Sequence, residues 1–171
     1  MSLETKNFIK IPIYMRVDVY ADKEDGYHPS YSQHLKFFLF LKEHLHFERE
    51  AYYELLIALE CFFKDLICNI RFRLFGNQKE IVPEKLGKAL LGTSFGHDIF
   101  AMTSVLFNMF DELKDDEDFV LFKSKIPRGE TWIQDRYSHP ENYSRVDFKE
   151  KYSELFDTFE KFSAKRFSSY L

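Results

Sequence analysis

The sequence predicts an all-α protein: an up-and-down bundle of four to five helices with an N-terminal edge strand or extended arm. Three observations lead there. No glycine or proline occurs between positions 31 and 75. There and in two later segments, apolar residues return every three or four positions, the period of a helix with one buried face. Strict two-residue alternation is confined to positions 9–19.

In that alternating segment Ile9, Ile11, Ile13, Met15, Val17 and Val19 share one face, and Lys10, Pro12, Tyr14, Arg16 and Asp18 the other. Pro12 lacks an N–H, so a strand here would lie at an edge. No partner strand is apparent. The segment either pairs with its own copy across a dimer or packs on the bundle as an extended arm. Residues 22–30 form a charged turn with Gly26 and Pro29, and Ser30 or Ser32 is placed to cap a helix. The run 31–75 is long for one globular helix and is expected to break near 44–48. In its second half Ala51, Leu55, Ala58, Phe62, Leu66 and Ile70 form a stripe that Phe63, Ile67 and Leu74 widen, as a central helix requires.

Gly76-Asn77 ends this helix. Residues 83–91 form a short helix bounded by Gly92. Thr93-Ser94-Phe95-Gly96 then leads into a helix with Ile99, Met102, Leu106, Met109 and Leu113 on one face. Residues 115–118 read as an acidic turn, and 125–147, with Pro127, Gly129 and Pro140, mainly as loop. The last helix buries Phe148, Tyr152, Leu155, Phe159 and Phe162, with Glu154, Asp157, Lys161 and Lys165 elsewhere. The 171 residues suit a single domain, with an arm at 1–30 and the bundle at 31–171. A chain of this length buries about 70% of its unfolded surface and needs no covalent staple.

Composition narrows the function classes. Twenty-four basic residues against 28 acidic ones give a net charge of −4. That argues against broad charge-driven binding to nucleic acid and leaves room for a local basic site. Twenty Phe and ten Tyr supply rings beyond the needs of the core, for pockets or interfaces. Cys61 and Cys68 lie two turns apart in one helix, about 10 Å along its axis, too far to bridge. They read as reduced thiols, as in the cytosol. No apolar run is long enough to span a bilayer and no secretory leader is visible, so the expected location is cytoplasmic, away from membranes.

The motif search first removes candidates. Glu43-His44-Leu45-His46 contains Glu-x-x-His, but a di-iron bundle needs a second such pair, and no other Glu stands three residues before a His. No metal centre is expected. No Gly-rich phosphate loop, nucleophile elbow or paired-cysteine zinc pattern occurs, so no cofactor is implied. Two segments remain. Gly96-His97-Asp98 opens a helix, where backbone donors can hold an anion; alternatively Asp98 simply favours the helix dipole, with His97 partly buried. The segment 132–140 carries Arg136, Tyr137 and His139: a charge, a stacking ring and a titratable group. Alternatively, Arg136 caps helix carbonyls and Trp132 seals the core.

Taken in order, these pieces resemble the HEPN domain (higher eukaryotes and prokaryotes nucleotide-binding). The resemblance rests on the central-helix pattern Ala58-Leu59-Glu60-Cys61-Phe62-Phe63-Lys64, the helix start Gly96-His97-Asp98-Ile99 and the pair Arg136-Tyr137 before the final helix, and it covers residues 32–168. It implies an up-and-down bundle, commonly dimeric, that accompanies a nucleotidyltransferase or acts in toxin–antitoxin and phage-defence systems. The family's ribonuclease branch places His four to six residues after Arg. Here His139 follows Arg136 by three. The resemblance therefore implies a non-catalytic module that binds a nucleotide, RNA or partner protein, with ligand-binding residues Lys64, His97, Asp98, Arg136, Tyr137 and His139 in one pocket around Lys64. The alternatives are a metal-independent ribonuclease, with His139 as acid–base and Arg136 on the phosphate, and a structural bundle whose aromatic surface packs on another protein.

Overall fold

A computed structural model of the chain describes residues 28–75, 96–137 and 147–166. They contain six α-helices, one short 3-10 turn and no strand, so the described part of the chain is all-α. The alternating segment 9–19, the short helix expected at 83–91 and His139 lie outside the described residues.

Helix α1 spans His28–Lys42. It begins before Ser30 and Ser32, so neither serine stands at its start as a cap. Pro29 falls in the first turn, where a missing N–H costs no helical hydrogen bond. Tyr31, Phe38 and Leu41 form its buried face. The expected break follows at 43–47: Glu43 and His44 N–H groups donate back to Phe40 and Leu41, closing the last turn, and His46 adopts φ +75°. Helix α2 spans Glu48–Phe75, about 42 Å at 1.5 Å per residue. It returns alongside α1, while its other sides meet α3 (Ile99–Met109) and α6 (Phe148–Arg166). Surrounded this way, α2 buries Ala51, Leu55, Ala58, Phe62 and Leu66 together with Leu56, Leu59, Phe63 and Ile67. It also buries the polar side chains of Glu54, Glu60, Lys64 and Asp65, which decides where the site lies.

Two elements differ from the sequence reading. The acidic stretch at 115–118 is the cap and first turn of α4 (Glu117–Lys125): the Asp116 carboxylate accepts from Phe119 N–H at 3.1 Å. Phe119 and Phe122 are fully buried from a nine-residue helix whose outer residues, Val120 and Leu121, are also apolar, so its amphipathic pattern is blurred. Within the expected loop 125–147, Thr131–Arg136 forms α5, anchored by buried Trp132. Leu113 is buried as expected, but from the 3-10 turn Asp111–Leu113, because extended Phe110 ends α3 first.

Helix α4 packs on α6, whose predicted face of Phe148, Tyr152, Leu155, Phe159 and Phe162 is buried throughout. The core is largely aromatic. Phe62 meets Phe159 edge-on at 5.1 Å between centroids, Phe63 stacks on Phe122 at 5.8 Å, and Phe119 leans on Phe162 at 4.8 Å. Each such pair adds about 0.5–1.5 kcal/mol beyond area burial. No helix among the described residues is long and apolar enough to cross a membrane.

Candidate functional site

Two of the buried carboxylates of α2, those of Glu54 and Glu60, organise the site. Glu54 is 7% exposed and Glu60 is 9% exposed. Ionised carboxyls this deep need partners. Six residues apart, they lie about 9 Å apart along the axis and about 120° apart around it, so they face different neighbours.

Glu60 gathers the helix-opening motif. Its Oε1 accepts from Lys64 Nζ at 2.6 Å, one turn later on α2, and lies 2.8 Å from His97 Nδ1. The corner carrying His97 is held on every side. Gly96 has φ +44°, a left-handed conformation suited to glycine, and a Cβ there would overlap the Glu130 carboxylate. That carboxylate accepts from His97 N–H at 2.8 Å, and Trp132 Nε1 donates to the His97 carbonyl at 3.3 Å. Asp98 is the N-cap of α3, accepting from Ala101 N–H at 2.9 Å. This places the Asp98 carboxylate where it favours the helix dipole. His97 N–H and Ala101 N–H already serve protein carboxylates. The His97 ring remains half exposed, with Nδ1 turned inward.

Glu54 gathers the second set. Its Oε2 lies 2.8 Å from His34 Nδ1 on α1, and its Oε1 accepts from Arg136 Nη2 at 3.3 Å at the end of α5. Arg136 also lies over the Tyr137 ring at 5.7 Å, and Tyr137 is 78% exposed. The carbonyls ending α5 are capped from α2: Arg49 Nη2 donates to Asp135 O at 2.9 Å and to Arg136 O at 3.1 Å, and its guanidinium lies over Tyr53. Thus Arg49 performs the capping that was one expectation for Arg136. Beside these residues opens a cleft of about 290 Å³, walled by Phe37, Leu41, Phe47 and Tyr53 and edged by Arg49, Glu50, Glu54 and Arg136.

The expected single pocket around Lys64 is therefore divided. Lys64 and His97 meet at Glu60, whereas Arg136 and Tyr137 stand by Glu54. Helix α5 links the two: Glu130 and Trp132, at its start, hold the His97 corner, and Arg136, at its end, reaches Glu54. The residues missed by sequence reasoning are His34, Arg49, Glu54, Glu60 in its role as hub, and Glu130. Glutamates interrupting a buried helical face were the available signal; their partners on other elements, 20 to 82 residues away, were not.

Thiol chemistry at Cys61 finds little support. Burial, with Glu60 adding to it, pushes the Cys61 thiol up to about 11, away from the reactive thiolate. Among the described residues no group of three or more His, Cys, Asp or Glu side chains is placed to hold a metal ion. Within the segment 43–46, His44 Nδ1 lies 2.7 Å from the Phe40 carbonyl, and His46, the histidine of the Glu-x-x-His motif, adopts φ +75°. No protein-family model, curated protein or solved structure matches the chain.

Proposed function

We propose that the chain is a non-catalytic HEPN-like binding module, an up-and-down bundle that holds a nucleoside phosphate at the mouth of the α1–α2 cleft. Arg136 takes the phosphate and Tyr137 stacks on the base. The observation that carries this reading is the Arg136–Tyr137 pair itself: a partly exposed guanidinium over a largely exposed ring, at the edge of an aromatic-walled cleft. A guanidinium offers planar, paired donors to phosphate, and an exposed ring offers a face to a base of any identity. Calorimetry with ATP tests the proposal. The expected result is saturable heat for the natural protein and at least a tenfold weaker response for Arg136→Ala, about 1.4 kcal/mol. Equal or absent heats for both proteins would overturn it.

A second reading, docking of a protein partner such as a second copy or a nucleotidyltransferase, is favoured by a neighbouring surface. Phe37, Phe40, Leu45 and Phe47 are all exposed around the α1–α2 corner, Leu45 to 77%. Clustered apolar exposure of this kind marks interaction surfaces. Light scattering on the isolated protein and on Phe40→Lys tests the self-association form: a dimer lost in the variant supports it, and a monomer in both removes it.

A further inference from the structure

We infer that anion binding at Arg136 is coupled to proton uptake at His34, with Glu54 as the carboxylate shared between them; this rests on the nucleoside-phosphate reading above. The geometry has three parts. Glu54 is nearly buried and divides its two oxygens, Oε1 facing Arg136 at 3.3 Å and Oε2 facing His34 at 2.8 Å. The Arg136 contact is the longer, and its side chain is 36% exposed, open to an incoming anion. The His34 side chain is 35% exposed, so solvent can deliver a proton to it.

Among the described residues, the charged groups edging the adjacent cleft are Arg49, Glu50 and Glu54 from α2 and Arg136 from α5. Arg49 is turned to the carbonyls of Asp135 and Arg136. A phosphate drawing on Arg136 therefore weakens the positive charge facing Glu54 Oε1 and brings negative charge of its own. Both effects favour the imidazolium form of His34. With Nδ1–H donating to the acceptor-only carboxylate, the incoming proton comes from the buffer and binds Nε2, and the Nδ1–Glu54 bond is kept. Imidazole is the side chain whose ordinary titration range permits this near neutrality.

The sign follows from linkage. The complex holds more protons than its separated components, so affinity rises as pH falls through the imidazole range, by at most about tenfold per pH unit for one proton. It levels off once His34 is protonated in both states.

The test is ATP calorimetry at one pH in buffers of different ionisation enthalpy, on the natural protein and on His34→Gln. The ligand's own titration is common to both and cancels in the difference. The natural protein is expected to take up more protons per ATP than the variant. Equal uptake in two binding-competent proteins overturns the coupling while leaving the binding site standing. Absence of ATP binding to the natural protein overturns the functional reading, and the coupling with it. The His34 ring resonances of the natural protein give a second measure, independent of any variant: saturating ATP should raise their titration midpoint, and an unmoved midpoint overturns the inference.

Discussion

Replacing Gly96 with alanine tests how firmly the His97 corner is built. At φ +44° an L-residue is strained, by about 1–2 kcal/mol. The new methyl also overlaps the Glu130 carboxylate. Glu130 is exposed and can swing away, so the further cost is its hydrogen bond to His97 N–H, about 1 kcal/mol net. The sum is about 2–3 kcal/mol, a melting temperature lower by about 5–10 °C for a chain of this size. Gly129 supplies the control. It sits at φ +76°, and a methyl added there would meet nothing within 4 Å, so Gly129→Ala carries the backbone cost alone. Urea unfolding of both variants, each repeated in a Glu130→Ala background, separates the terms. The extra loss in Gly96→Ala should vanish once Glu130 is gone. If Gly96→Ala costs no more than Gly129→Ala, or the excess survives without Glu130, the carboxylate does not hold the corner.

Three further outcomes follow from the same geometry. Phe122→Ala empties a fully buried position touching Phe63, Phe159 and Phe162 and should cost about 3–5 kcal/mol in denaturant unfolding; a loss below about 1 kcal/mol would mean α4 is not part of the core. Arg49→Ala removes both bonds to the end of α5, so amide exchange at residues 131–137 should accelerate about tenfold or more, and unchanged protection would deny Arg49 the capping role. For Cys61, in a Cys68→Ser background, iodoacetamide labelling should still accelerate above pH 10, because its thiol is held near 11 rather than 9; a plateau near pH 9 would contradict its burial. The unfolded thiol ionises first, so between about pH 9 and 11 the native state holds more protons and this group's contribution to stability falls as pH rises.

Helices with a single clean stripe were legible in the sequence. In α6, all five predicted face residues are buried. In α1 and α2, the absence of glycine and proline over 31–75 located both helices, and the length of that run implied the break near 44–48. Short helices were hidden for different reasons. Helix α5 has six residues, fewer than two turns, and no periodic pattern can form over so few positions. In α4, exposed Val120 and Leu121 stand beside buried Phe119 and Phe122 and erase the contrast between faces. For the candidate site, residue types were readable and pairing was not. Arg136 and His97 were identified by chemistry, yet each is assigned its carboxylate by a fold that brings α2 against segments 37 and 82 positions away. A charged residue within an apolar stripe signals that a partner exists without naming it.

Helix α5 is tied to α2 at both extremities, through the His97 corner at one and through Arg49 and Arg136 at the other. Its six residues span about 9 Å, the same rise that separates Glu54 from Glu60 on α2. The segment thus behaves as a spacer of set length. Adding or deleting one residue between 131 and 136 would turn one end by about 100° and shift it by about 1.5 Å, so that either attachment could be kept but not both. Along this stretch of surface, residue count is itself a constrained quantity, set by the two tethered ends.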